Sequence, residues 1–87
     1  MRLNDDGAPM TVDDWLSGVA EALPELPSRV LSDRERAALL DLARVAAHAS
    51  HRTAAPLSAF LAGAAFGGLD GEARAAAIEA LVARLDR

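Results

Sequence analysis

The chain has 87 residues, of which thirteen are leucine and 21 are alanine, so its size and alphabet favour one small helical domain. It contains no cysteine and carries a net charge of −4, which argues against disulfides, thiolate metal sites and general nucleic-acid binding. No stretch is long and apolar enough for a membrane span, so we expect a cytoplasmic protein.

The first ten residues are polar and turn-forming, and we predict that 1–10 are a flexible leader before a single helical domain over 11–87. Thr11 is a candidate N-cap for a first helix over 12–23. Apolar residues then recur at helical spacing along one face. These are Val12, Trp15, Leu16, Val19 and Leu23. Pro24 ends this helix.

Ser32 and Glu35 have the spacing of a capping box, which predicts a second helix over 33–52. The pattern places one set of residues on an apolar side: Leu39, Leu40, Leu42, Ala43, Ala46 and Ala47. The opposite side is polar and mostly cationic, with Asp41, Arg44, His48, His51 and Arg52.

Pro56 suits the first turn of a helix, so we predict a third helix over 56–66. Its apolar stripe is Leu57, Phe60, Leu61 and Ala64, and a second row of small residues, Ala59, Gly63 and Gly67, would permit close helix packing. Asp70 is a candidate N-cap for a fourth helix over 71–86. The pattern therefore predicts an all-α fold, a compact four-helix bundle.

The two histidines, His48 and His51, share a helix face but complete no ligand set for zinc or for a di-iron centre. Ser50 and Ser58 flank them without the pattern of an activated nucleophile. We therefore expect no metal, no cofactor and no enzymatic activity.

Charge is segregated along the chain. No acidic residue occurs between Leu42 and Leu69, whereas the remainder carries 13 acids against seven arginines. One interpretation is that the cations only complement the C-terminal dipole of the second helix. The alternative is a binding surface made by Arg44, His48, His51 and Arg52 with the start of the third helix at Pro56 and Leu57. Free N–H groups of Leu57 and Ser58 would then help to hold an anion.

The segments "DDWL", "LLDLAR", "AAH", "HR" and "AAPLSAFLAG" are similar to an uncharacterised family of small helical bacterial domains. Those domains occur alone or fused to the C-terminus of molybdenum cofactor guanylyltransferases. The resemblance spans about residues 12–68 and rests on Asp14, Trp15, Leu40, Leu42, Ala43, Arg44, His48, Arg52, Pro56, Leu57, Phe60 and Gly63. It implies a link to molybdopterin dinucleotide assembly.

These observations together predict a non-enzymatic accessory or interaction domain. Its partner would be a protein, such as a molybdenum cofactor guanylyltransferase or a cofactor-insertion protein, or an anionic ligand. Nucleic acid and membrane are not expected partners. Two alternatives stay open, a small homo-oligomerisation domain with a possible homodimer, and a protein that binds a small phosphate or pterin.

Overall fold

The computed structural model describes residues 10–26 and 31–86. These residues form four α-helices and no strand: α1 (Val12–Ala22), α2 (Asp33–Ala49), α3 (Ala54–Phe66) and α4 (Gly71–Leu85). The predicted all-α fold of four helices is confirmed. The greater part of the predicted leader, residues 1–9, lies outside the described residues, as do residues 27–30 of the connector and residue 87.

Contacts divide the chain into two compact units, residues 1–30 and residues 31–87. The first unit contains α1, whose predicted N-cap is present, since the Thr11 side chain accepts a hydrogen bond from the N–H of Asp14. No residue of α1 is buried, and Trp15 of its apolar stripe is 55% exposed. The described residues of this unit hold no second helix that could cover the stripe.

In the second unit, α2 and α4 begin at the predicted caps. The Ser32 side chain accepts from the N–H of Glu35, while the Glu35 carboxylate accepts from the N–H of Ser32. At the start of α4, Asp70 accepts from the N–H of Ala73 at 2.9 Å. Each contact satisfies a backbone donor that has no partner within its helix.

Substitution Ser32→Ala should lower the free energy of unfolding by about 1 kcal/mol, because the N–H of Glu35 loses its acceptor. Urea denaturation followed by circular dichroism measures this change. Ser32→Asp is the matched control, since aspartate is an equally good N-cap and should restore most of the loss. Equal destabilisation by both variants would contradict the capping role.

The core of the second unit is small and is formed mainly by α2 and α4. Its buried members are Ala38, Leu42, Val45, Ala62, Ala75 and Ile78. Partly buried side chains pack around it, namely Leu39, Phe66, Leu81 and Val82. Alanine at the centre of the core lets the helices approach closely, which suits a unit of this size.

One charged side chain, Glu35, is buried among these apolar residues with 2% of its surface exposed. Its second carboxylate oxygen accepts a short hydrogen bond from Arg74 Nε on α4. Arg74 also donates to the backbone oxygen of Leu69. We call the Glu35 and Arg74 pair the clasp. A Cβ atom at Gly71 would lie 3.1 Å from the Glu35 carboxylate, so the absence of a side chain at Gly71 leaves room for that carboxylate.

A second, exposed set of ion pairs also joins α2 to α4. Arg34 donates to Glu79 at 2.7 and 2.8 Å and to Glu72 at 3.0 Å. The guanidinium group holds the pKa of the Glu79 carboxyl below its ordinary value, chiefly through the hydrogen bond. Because these side chains are largely solvated, the pairs orient the helices more than they stabilise them.

The apolar sides of α2 and α3 differ from the predicted ones. Leu40 is 65% exposed, and Leu57, Phe60 and Leu61 are 65–73% exposed, whereas Ala62 is the buried residue of α3. Helix α3 thus contributes Ala62 and the partly buried Phe66 to the core and leaves Leu57, Phe60 and Leu61 exposed. The predicted close approach at Gly63 is wrong within this unit, since Gly63 is exposed and a Cβ atom there would meet nothing within 4 Å.

Candidate functional site

The predicted cationic residues lie in two places. Arg44 and His48, one turn apart on the exposed side of α2, line a groove of about 270 Å³. Val45 and Ala49 of the same helix also line it, as do Leu85 and Asp86 at the end of α4. This groove faces α4, and the residues of α3 do not line it.

Arg44 lies between two carboxylates, with its Nε 3.6 Å from Asp41 and its Nη2 3.6 Å from Asp86. All three side chains are about half exposed or more. These distances exceed those of direct hydrogen bonds, so both pairs are loose and a stronger acceptor could replace either carboxylate. The His48 ring, within the described part of the chain, has no hydrogen-bond or ionic partner.

His51 and Arg52 lie in the turn between α2 and α3, because α2 ends at Ala49, three residues before its predicted end. The ring of His51 stabilises this turn locally. Its Nδ1 atom accepts from the backbone N–H of Thr53 and lies 3.1 Å from the Thr53 hydroxyl. The Arg52 guanidinium is exposed and, among the residues that the structure describes, has no hydrogen-bond or ionic partner.

Helix α3 begins at Ala54, two residues before the predicted start at Pro56. Proline disfavours a helical residue before it, but here two turn bonds hold that segment: Ala54 N–H donates to His51 O, and Ala55 N–H donates to Arg52 O. Pro56 has no N–H to donate. Leu57 and Ser58 therefore lie within the helix and not at its first residues.

The first backbone donors of α3 are engaged within the turn and are not open to an anion. Its first three N–H groups, those of Thr53, Ala54 and Ala55, all donate hydrogen bonds to neighbouring atoms of the turn. What remains of the predicted site is side-chain chemistry: Arg44 and His48 at the groove, Arg52 at the turn, and the exposed side chain of Leu57 beside it. The clasp and the Asp86 side of the groove were missed by sequence reasoning.

Residues 10–26 and 31–86 contain no group of three or more histidine, cysteine or carboxylate side chains that could hold a metal ion. None of their helices has the length and apolar character that a membrane crossing requires.

The model of a family described as a domain of unknown function, DUF6457, matches residues 7–87, which is nearly the whole chain. Neither the curated proteins nor the solved structures contain a match.

Proposed function

We propose that this chain, which belongs to the DUF6457 family of domains of unknown function, is a non-enzymatic interaction domain that recognises an acidic segment of a partner protein. The recognising residues are Arg44, His48, His51 and Arg52, here called the cationic corner, with Pro56 and Leu57 at the start of α3. The partner proposed first is a molybdenum cofactor guanylyltransferase, because of the sequence resemblance given above.

One observation carries the proposal. In a chain with 13 acidic and nine basic residues, the His48 and Arg52 side chains have no ionic partner within the described residues. Helix α3 and its flanks contain no carboxylate that could supply one. Arg52 is therefore an unpaired cation beside an acid-free segment, and such a charge attracts an anionic partner and speeds its association.

A protein carboxylate is favoured over a small phosphate as the bound group. The first N–H groups of α3 are engaged within the turn, so a phosphate would find only separate, mobile side chains. An acidic segment with several carboxylates reaches the groove at Arg44 and the turn at Arg52 together, and the exposed Leu57 side chain supplies an apolar contact.

The double substitution Arg44→Ala with Arg52→Ala should weaken binding to the purified guanylyltransferase at least about tenfold, since two charged contacts are lost. Biolayer interferometry with the full chain measures the affinity. Arg84→Ala is the matched control, because it removes an exposed arginine of α4 outside the cationic corner and should leave binding nearly unchanged.

A parallel titration separates the two parts of the proposal. A synthetic polyglutamate peptide that shifts the amide signals of residues 44–57, without any binding of the transferase, would support the surface and contradict the molybdenum link. Binding of the transferase that the double variant does not weaken would contradict the surface. Inorganic phosphate that shifts the same signals as strongly as the peptide would contradict the choice of a protein carboxylate.

A further inference from the structure

Helix α3 exposes three large apolar side chains in a row. Leu57, Phe60 and Leu61 are 65%, 73% and 66% exposed, and Ala64 follows on the same face. The helix has no charged residue on any face. A contiguous apolar face of this kind on a small domain marks a surface that another molecule covers.

The positions of this face, 57, 60, 61 and 64, are spaced symmetrically about the point between Phe60 and Leu61. Two copies of α3 that pack antiparallel about that point place Leu57 of one copy against Ala64 of the other. Leu57 then meets Ala64 at each end of the contact, and Phe60 meets Leu61 at the centre. This self-complementary pattern is what a two-fold interface requires.

Charges beyond the ends of α3 favour the same arrangement. Arg52 lies two residues before the helix, and Asp70 follows it after a short turn. Antiparallel packing brings the Arg52 end of each copy near the Asp70 end of the other, whereas parallel packing places like charges together. The helix dipoles also attract one another only in the antiparallel arrangement.

We propose that the exposed face of α3 is a self-association surface, on which two copies of this chain pack their α3 helices antiparallel with Phe60 and Leu61 at the two-fold axis. One 13-residue helix offers a small interface compared with those of stable dimers. The dimer should therefore be weak, with a dissociation constant on the order of 10 to 100 µM.

Sedimentation velocity of the full chain from about 5 to about 500 µM should show a monomer converting to a dimer. Leu61→Ser should raise the dissociation constant at least about tenfold, because two leucines leave the interface centre. Leu40→Ser is the matched control, since Leu40 is a leucine of almost the same exposure, 65%, on α2. It should change the constant less than about threefold.

Disulfide trapping tests the direction of packing in a chain that has no native cysteine. In the antiparallel dimer the two copies of residue 64 are about 10 Å apart along the axis, beyond the reach of a disulfide. Ala64→Cys alone should therefore give little cross-linked dimer, whereas Leu57→Cys with Ala64→Cys should cross-link efficiently. Parallel packing would reverse the result for the single variant.

Three outcomes would overturn this proposal: a monomer at every concentration, equal weakening by Leu61→Ser and Leu40→Ser, or efficient cross-linking of Ala64→Cys alone. Failure here is distinguishable from failure of the proposed function. Arg44→Ala, which lies outside the α3 face, should leave self-association unchanged, and Leu61→Ser should leave the electrostatic binding of the polyglutamate peptide unchanged.

Discussion

Arg74→Met should lower the free energy of unfolding by about 2 to 3 kcal/mol, one of the two largest effects expected of a single substitution in this chain. The substitution removes the partner of Glu35, whose side chain is 3% exposed, and leaves a buried carboxylate with only the N–H of Ser32. Removing one member of a buried pair is costly because the other charge has lost its solvation without compensation. Urea denaturation at pH 7 measures the loss.

Arg34→Met is the matched control for the clasp, since Arg34 also joins α2 to α4 through carboxylates but is 44% exposed. Its effect should be much smaller than that of Arg74→Met, because its partners return to water. Combining Arg74→Met with Glu35→Gln should recover part of the loss, since the buried group then carries no charge. A loss below about 1 kcal/mol for Arg74→Met would contradict the clasp.

The clasp also predicts how stability depends on pH. The hydrogen bond from Arg74 lowers the pKa of Glu35 below its ordinary 4.5, outweighing burial, which acts in the opposite direction. A carboxyl group with a lowered pKa in the folded state contributes its stabilisation above its unfolded pKa and loses it as pH falls through the folded value. Stability should therefore decline below about pH 4.5, and this decline should be shallower in Glu35→Gln.

Leu42→Ala should lower the free energy of unfolding by about 3 kcal/mol, because Leu42 is 1% exposed and its removal leaves a cavity at the centre of the core. The matched control lies two residues earlier on the same helix. Leu40→Ala should cost less than about 0.5 kcal/mol, since that side chain is 65% exposed. Thermal and urea unfolding of both variants check the difference.

Equal destabilisation by Leu42→Ala and Leu40→Ala would contradict the placement of α2 in this structure. It would instead favour the helix face predicted from the sequence, which groups both leucines on one apolar side. The comparison therefore tests the rotation of α2 about its own axis.

Local signals in the sequence predicted the helix starts well. Thr11, Ser32 and Asp70 all cap the helices that they were predicted to cap, because a cap depends only on residues three positions apart. The turn between α2 and α3 was predicted less well. The His51 ring accepts a hydrogen bond from the backbone N–H of Thr53 in this turn, and no general sequence pattern predicts a histidine in that role.

Which face of a helix is buried depends on the helices that pack against it, and the residue pattern of the helix itself does not specify where those neighbours lie. In α3 the large residues have the stronger periodicity, yet Ala62 is the buried residue, because small side chains allow the closer approach to α2. Glu35 illustrates the same limit, since its local role as a cap was evident while its pairing with Arg74, 39 residues later, was not. For the candidate site, Arg44 and His48 line a groove with the end of α4, whereas the sequence reasoning grouped them with the start of α3.

The ion pairs described between different helices join α2 to α4, and α3 contributes no charged side chain to them. With one buried residue, α3 is also the helix of this unit least anchored in the core. Its detachment would break neither the clasp nor the pairs of Arg34. Local unfolding of α3 should therefore have a lower free energy than global unfolding, and hydrogen exchange should show its backbone amides less protected than those of α2 and α4.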